Sequence, residues 1–292
     1  MRGFSFAIKD STMSSLLPLL AFHSYQTQRL SRTPILSPLL IVVTEGHKRI
    51  RLGERELIAH AGDWLVLPGQ QRVEMLNQPD PDSGHYHAWA LGELDGWRQR
   101  LHELFAPQLA RLTLPAKAEA FQPTEQARAA FAKVLALLPS AELGSLQAAQ
   151  AEHAWQGLML TLAAAGQGGA LFAQNHRSTA ERVLRLLRSD LSQDWQAEDI
   201  AAQLAMSGAT LRRKLAGEKL SFRRLLQDAR MEQALGLISS SPKALGEVAA
   251  ACGYQSPSRF AAAFQRQFGC SPSTLRQMSG AGERLRETGA PA

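Results

Sequence analysis

The sequence predicts an α+β multidomain protein with an N-terminal β-barrel, a helical connector and a C-terminal all-α domain. Three observations support this fold class. Short runs rich in β-branched and aromatic residues fill residues 39–91, apolar residues three and four apart recur after residue 124, and one helical pattern occurs twice between residues 199 and 269. The C-terminal domain is therefore expected to hold two helix-turn-helix units joined by a long helix.

A length of 292 residues allows this organisation. The boundaries follow from the changes in pattern. We expect a barrel at 1–123, a connector with a linker at 124–170, a double helix-turn-helix domain at 175–280 and a disordered tail at 281–292.

The repeated C-terminal unit is the most informative feature. Its first copy runs over Asp199–Leu215 and its second over Glu247–Phe264. In each copy, apolar residues at helical spacing make one buried stripe, and a tight turn leads into a second short helix. Ser207 and Ser256 suit the N-cap positions of those second helices, and Pro257 suits the first helical position.

The segment between the two copies reads as a continuous helix. Residues 221–238 place apolar side chains at core spacing, and at 1.5 Å per residue they span roughly 27 Å. One turn of B-DNA is about 34 Å. The spacing therefore allows both second helices to enter successive major-groove segments on one side of a duplex.

These residues resemble the DNA-binding domain of the AraC/XylS family of transcriptional regulators. The resemblance covers about the last 110 residues and is carried by Met206–Leu215, Leu220–Phe222, Val248–Tyr254, Phe260–Phe264 and Phe268–Pro272. It implies a sequence-specific regulator that binds double-stranded promoter DNA, and the two cysteines, which suggest neither a disulfide framework nor a zinc set, fit the reducing cytoplasm. It also implies RNA polymerase as a partner if the protein is an activator, and it favours a homodimer.

The charge distribution agrees with this resemblance. Residues 1–172 carry 15 Lys and Arg against 15 Asp and Glu, whereas residues 173–292 carry 17 against 11, so the whole net charge of +6 lies in the C-terminal part. A basic excess confined to one domain is expected where a protein contacts phosphates.

Position on each second helix predicts which side chains face bases. The candidates are the outward residues Ala209, Thr210, Arg212 and Arg213 in the first unit and Ser258, Arg259 and Ala262 in the second. Arg212 and Arg213 are the strongest candidates, because arginine donates two parallel hydrogen bonds to guanine, and phosphate contact is the alternative for each. Many members of the family carry a basic or polar residue at the position of Ala262, so the first unit is expected to dominate specificity.

The remaining polar and basic residues around the two units are expected to contact phosphates. These contacts position a protein on the duplex without reading its sequence. The phosphate candidates are Ser207, Lys214, Lys219, Arg223, Arg224, Ser256, Arg266 and Arg276.

The N-terminal part has a different residue pattern, that of short β-strands. Its predicted strands are Leu39–Val43, Lys48–Leu52, Glu56–His60, Trp64–Leu67 and Tyr86–Leu91. Gly62–Gly69, a glycine-led turn, a strand and a proline-led turn, resembles the second motif of cupin barrels. The resemblances together imply a sensor domain through which a small-molecule effector modulates DNA binding, with pocket residues unknown.

A cupin resemblance raises the question of an enzyme. The histidine pair His85 and His87 follows the proline turn, out of order for a cupin metal site, so a pocket wall or a polar sheet face is the favoured interpretation. No catalytic motif, metal set or cofactor site is predicted, and the protein is not expected to be an enzyme. The alternatives are a metal-dependent cupin enzyme with an appended DNA-binding domain and a regulator controlled by a protein partner. The first unit also resembles regulators of virulence and acid-resistance genes, some of which use no sugar-type effector.

The connector is predicted as two amphipathic helices, residues 126–138 and 146–165, which either pack on the barrel or pair across a two-fold axis. Residues 166–169 are expected to be a flexible linker, and Ser178–Glu181 to be a capping box. The two cysteines form no disulfide framework, and no apolar run approaches the length of a membrane span.

Overall fold

The computed structural model describes residues 19–92, 96–138, 144–172 and 178–279. The expected β-rich N-terminal domain is confirmed, but its strands form two facing antiparallel sheets and do not close into one barrel. The strands in the described ranges are β1 Leu19–Ser24, β2 Gln28–Ile35, β3 Leu39–Glu45, β4 His47–Leu52, β5 Arg55–His60, β6 Trp64–Leu67, β7 Gln71–Gln78, β8 Tyr86–Leu91 and β9 Glu119–Phe121.

The five-stranded sheet has the order β1-β8-β3-β6-β9 and the four-stranded sheet the order β2-β7-β4-β5. Alternation along each strand sends one set of side chains inward. On β4, for example, Lys48 and Ile50 are buried while Arg51 is exposed. The core between the sheets includes Leu30, Ile41, Val43, Ile50, Leu65, Leu67 and Val73.

The connector helices pack on the outer face of the five-stranded sheet. They are α2 Glu125–Leu137 and α3 Leu146–Ala164, and a further helix, α1 Trp97–Leu109, which lies in the range expected to form the barrel, packs with them. Trp64 of β6 meets Phe131 of α2 with ring centroids 5.4 Å apart, and Trp155 of α3 belongs to the same buried cluster. Of the two expected roles, packing on the N-terminal domain is the one that the structure displays, while pairing in a homodimer stays a prediction.

The glycine-rich segment at residues 166–169 differs from the expected flexible linker. The amide of Gly168 donates to Glu119 Oε1 at 2.9 Å, and a Cβ on Gly169 would lie 2.3 Å from the carbonyl oxygen of Pro115. Glycine is needed here because the backbone approaches another segment closely, not because the segment is free. The predicted tail at 281–292 lies outside the described residues.

Helices make up the C-terminal domain, as predicted. They are α4 Thr179–Ser189, α5 Ala197–Gln203, α6 Gly208–Gly217, α7 Phe222–Ser240, α8 Leu245–Ala251, α9 Pro257–Phe268 and α10 Pro272–Met278. Ser178 caps α4 by accepting from the amide of Glu181 at 3.0 Å, and Ser221 caps the long helix α7. In the described ranges, no helix combines the length and apolar character of a membrane span.

The two domains share a continuous buried core. The cluster between the sheets runs on into the second helix-turn-helix unit through α7 residues such as Met231 and Leu235. A Cβ on Gly236 of α7 would lie 3.1 Å from Leu20 of β1, so helix and strand are in close contact. The N-terminal domain is therefore docked on α7 and, through β2, on α9.

Buried polar contacts reinforce this docking. Arg72 of β7 forms an ion pair with Asp228 of α7, whose side chain is only 6% exposed. Arg98 of α1 donates to Glu181 of α4 at 2.6 Å, so that Glu181 does not complete the expected capping box. Removing one partner of a buried ion pair destabilises the fold much more than removing one partner of a surface pair, because the remaining charge stays buried and uncompensated.

Candidate nucleic-acid interface

The first helix-turn-helix unit consists of α5 and α6. Ile200 of α5 and Leu211 and Leu215 of α6 are fully buried, which fixes the crossing of the two helices. The turn contains Ala205 in the left-handed region at φ 53°. Ser207 then caps α6 by accepting from the amide of Thr210 at 3.1 Å, as the sequence predicts.

The opposite face of α6 is open. Ala209, Arg212, Arg213 and Lys214 are exposed, whereas Thr210 is half-buried and its hydroxyl is hydrogen-bonded to Ser207 Oγ at 2.9 Å. We call this side of α6 the first reading face. Ala209, Arg212, Arg213 and Lys214 thus share one exposed surface. The Thr210 hydroxyl, by contrast, is already hydrogen-bonded within the protein.

The two strongest base-reading candidates differ in their surroundings. Arg212 Nη1 lies 3.6 Å from Glu198 Oε1, and both side chains are 67% exposed. Such a surface pair is weak, about 0–1 kcal/mol, so an incoming phosphate or base can replace the carboxylate. Among the described residues, no ion-pair partner lies close to Arg213. Arg213 is therefore the better placed of the two.

The second unit consists of α8 and α9. Gly253 in the turn has φ 73°, and a Cβ there would lie 2.5 Å from Arg230 Nη2 and 2.7 Å from the carbonyl oxygen of Leu191, so only glycine fits. Ser256 caps α9 by accepting from the amide of Arg259 at 3.4 Å. Pro257 occupies the first turn, as predicted.

Three phenylalanines hold α9 in place. Phe260, Phe264 and Phe268 follow one another along its buried side, with ring centroids 5.9 Å and 4.5 Å apart. The predicted base-reading residues lie on the other side: Ser258, Arg259 and Ala262 are all exposed, together with Gln265 and Arg266. We call this exposed side the second reading face.

Most of the predicted phosphate contacts are accessible. Those that are exposed are Ser207, Lys214, Lys219, Arg223, Arg224 and Arg266, while Ser256 is half-buried. Arg276 is also half-buried and donates from Nη1 to the carbonyl oxygen of Lys243, and burial lowers the pKa of its guanidinium. Its position indicates a structural role for this arginine, which weakens it as a phosphate candidate.

Both reading faces are exposed while the N-terminal domain is docked. The helix between the units, α7, has 19 residues, which at 1.5 Å per residue is about 28 Å. This length is close to one turn of B-DNA, about 34 Å. Leu225 and Ala229 of α7 share a buried cluster with the first unit, and α7 also contacts α8 of the second, so this helix links the two units.

The N-terminal histidines form no metal site in the described ranges, where no group of three candidate ligands comes together. His87 Nδ1 is hydrogen-bonded to Thr44 Oγ1 at 2.6 Å, and its ring stacks on His23 with centroids 4.3 Å apart. His85 is exposed and meets Tyr25 edge-on. His87 thus lies on a face of the five-stranded sheet, in contact with Thr44, His23 and Trp89.

A buried lysine lies between the sheets. Lys48 is only 4% exposed, and its Nζ donates to Asn77 Oδ1 at 2.5 Å and to the Tyr86 hydroxyl at 3.3 Å. Burial lowers the pKa of Lys48 to about 7. Asn77 in turn donates to Gln28, whose own Nε2 is buried and has no hydrogen-bond partner among the described residues.

Sequence reasoning missed this polar group and the ion pairs between domains. One signal for Lys48 was present, because it shares strand parity with the buried Ile50. No comparable signal exists for Arg72 and Asp228, which are 156 residues apart.

The fold and the two reading faces define a class: a two-domain protein whose C-terminal domain carries a double helix-turn-helix. Residues 200–278 match the model of a helix-turn-helix domain family. SirC, a transcriptional regulator of Salmonella typhimurium, is 41% identical over 103 residues, which is 35% of this chain and 35% of SirC. GadX of Escherichia coli, an HTH-type transcriptional regulator, is 33% identical over 109 residues, or 37% of this chain and 40% of GadX.

These matches cover little more than a third of each relative. A solved structure extends the comparison to the whole fold: unsaturated fatty acid-bound ToxT from Vibrio cholerae superposes with a TM-score of 0.62 over 89% of this chain and 94% of ToxT, at 15% identity. Residues 200–278 thus belong to a helix-turn-helix domain, and the chain as a whole has the two-domain fold of ToxT.

Proposed function

We propose that the protein is a sequence-specific, DNA-binding transcriptional regulator of the AraC type and not an enzyme. The observation that carries the proposal is the pair of exposed reading faces on α6 and α9, joined by α7. Two capped helices, each held by a buried apolar stripe and each presenting arginine outward, are suited to adjacent major-groove segments. The relatives of the C-terminal domain are themselves named as transcriptional regulators.

We infer that the partner is double-stranded promoter DNA in the cytoplasm, with RNA polymerase as a second partner if the protein activates. The excess of basic residues in the C-terminal part supports electrostatic attraction to the duplex. A homodimer formed through the connector helices remains part of the proposal.

The test is selection of genomic fragments by the purified full-length protein at two salt concentrations, followed by sequencing of the bound DNA. We expect one motif with two blocks about one helical turn apart. Unselective binding that disappears at the higher salt would contradict the proposal.

A comparison of two charge-matched double variants tests whether the two reading faces recognise the DNA sequence. The double variant Arg213→Ala, Arg259→Ala removes one arginine from each reading face, and it should lose the motif. The double variant Arg55→Ala, Arg111→Ala removes two exposed arginines that are far along the chain from either unit, and it should select the same fragments as the unaltered protein.

We propose further that a small-molecule effector acts through the N-terminal domain. ToxT, which shares the fold, has been crystallised with an unsaturated fatty acid. An effector would shift the population of docked arrangements and thereby the geometry of the two reading faces. A compound that raises the melting temperature of the full-length protein and also changes its affinity for the selected DNA would support this; a thermal shift without any change in DNA affinity would not.

A further inference from the structure

Strand β2 of the N-terminal domain lies against the C-terminal end of α9, directly beside the second reading face. Gln267 of α9 is 5% exposed, and its Nε2 donates to the carbonyl oxygen of Arg32 at 2.6 Å. A Cβ on Gly269, which ends α9, would lie 3.2 Å from Ser31 Oγ. Residues 31 and 32 are thus fixed relative to the reading helix.

The backbone is irregular at this point. The pairing of β2 with β7 shifts between Leu30 and Thr33, and Arg32 has φ 46° in the left-handed region. An arginine in this region costs free energy, and bulges often redirect a side chain at functional sites. Here the bulge turns the Arg32 carbonyl toward Gln267 and leaves the Arg32 side chain exposed.

Arg32 is also an unneutralised charge. Across residues 19–279, as far as they are described, no carboxylate lies within ion-pair distance of its guanidinium. Arg29, three residues earlier on the same strand, differs because its Nη2 faces Glu74 Oε2 at 3.8 Å.

The geometry of α9 places residue 32 beside one edge of the second reading face. At 3.6 residues per turn, positions four apart differ by about 40° in direction around the helix axis. Ala263 therefore points about 40° away from Gln267, and Arg259 about 80° away in the same sense, with Arg266 close to Arg259. The edge formed by Arg259 and Arg266 is therefore the edge nearer to β2. A helix about 10–12 Å wide fills a major groove of about 12 Å, so phosphates line both of its sides.

We propose that Arg32 contacts a DNA phosphate on the side of α9 that faces β2, so that the N-terminal domain forms part of the DNA-binding surface. This inference rests on the proposed function, because it needs α9 in a major groove. The contact positions the protein on DNA and carries no base preference of its own.

The experiment measures binding of the full-length protein to its selected duplex as a function of salt. Arg32→Asn is the main variant, because asparagine tolerates the left-handed backbone better than other neutral residues of similar polarity. Loss of one phosphate contact should reduce the slope of log K against log salt by about 0.9 and weaken binding about fivefold at 0.15 M salt. The ranking of DNA sequences should not change.

Two further variants complete the test. Arg32→Lys keeps the charge and should restore most of the slope, whereas Arg29→Asn removes a neighbouring arginine and should leave slope and affinity unchanged. If Arg32→Asn binds as the unaltered protein does, or more tightly, the proposed contact does not exist. If the unaltered protein itself shows no selective binding, the proposed function fails, and the inference fails with it.

Discussion

Replacing Arg72 by alanine should destabilise the folded chain by about 3 kcal/mol at pH 7. The substitution leaves the carboxylate of Asp228, whose side chain is 6% exposed, without its ion-pair partner. Breaking a buried pair in this way typically costs 3–5 kcal/mol. We expect the lower end of that range because Arg224 Nε remains 3.8 Å from Asp228 Oδ2.

The same prediction has a pH dependence with a definite sign. Burial raises the pKa of Asp228 above its usual range even with Arg72 present, and removing Arg72 raises it further. A carboxyl whose pKa is raised in the folded state costs stability above that pKa and costs nothing once it is protonated in both states. The difference between Arg72→Ala and the unaltered protein should therefore shrink as pH falls toward 4.

The assay is urea unfolding of the full-length protein, followed by tryptophan fluorescence and circular dichroism. Arg29→Ala is the matched control, since its pair with Glu74 is exposed and should be worth no more than about 1 kcal/mol. Adding Asp228→Asn to Arg72→Ala should recover part of the loss, because the unpaired charge is then gone. A loss below 1 kcal/mol at pH 7, or a loss that is the same at pH 4.5, would refute the reasoning.

Three other outcomes are expected. Arg213→Ala should relax the preference at one base pair at a cost of about 1–3 kcal/mol, measured by competition between duplexes, and Arg212→Ala should do less; uniform weakening on all sequences would reassign either arginine to phosphate contact. Burial lowers the pKa of Lys48 to about 7, so above that pH the folded protein holds Lys48 neutral while the unfolded chain still binds the proton. The free energy of unfolding, measured relative to Lys48→Met, should therefore rise between pH 7 and pH 10 by up to about 1.4 kcal/mol per pH unit. A difference that does not change with pH would contradict the lowered pKa. Burial raises the pKa of Cys252 to about 12, whereas Cys270 is only half-buried. A thiol reagent should therefore modify Cys270 of the native protein first. Equal modification rates of the remaining cysteine in Cys252→Ser and in Cys270→Ser would contradict this.

The C-terminal domain was predictable because its signals are local. Cap residues such as Ser207 and Ser256 and the phenylalanines of α9 act within a few positions of each other, so one sequence shows both the helix and its buried side. The exposed base-reading candidates follow from the same periodicity. Their roles on DNA depend on a duplex that helical periodicity does not specify.

The N-terminal domain was less predictable because strand pairing is not local. Strand β7, at Gln71–Gln78, alternates buried and half-buried residues of mixed polarity, and β2 contains both a proline and a bulge. Neither has the continuous apolar run that marks β3 or β6. The prediction of a flexible linker at 166–169 was wrong for a related reason. A glycine that is required for close packing looks the same in the sequence as a glycine in a flexible linker.

The docked arrangement limits how the proposed effector can regulate DNA binding. Both reading faces are already exposed, so the N-terminal domain does not act by covering them. Full separation would expose core residues such as Met231 and Leu235 and break the pair between Arg72 and Asp228. A ligand shifts an equilibrium only by its differential affinity for the two states. Small changes in how β1 and β2 contact α7 and α9 need much less of that free energy than separation does, so we expect the proposed effector to act through these contacts.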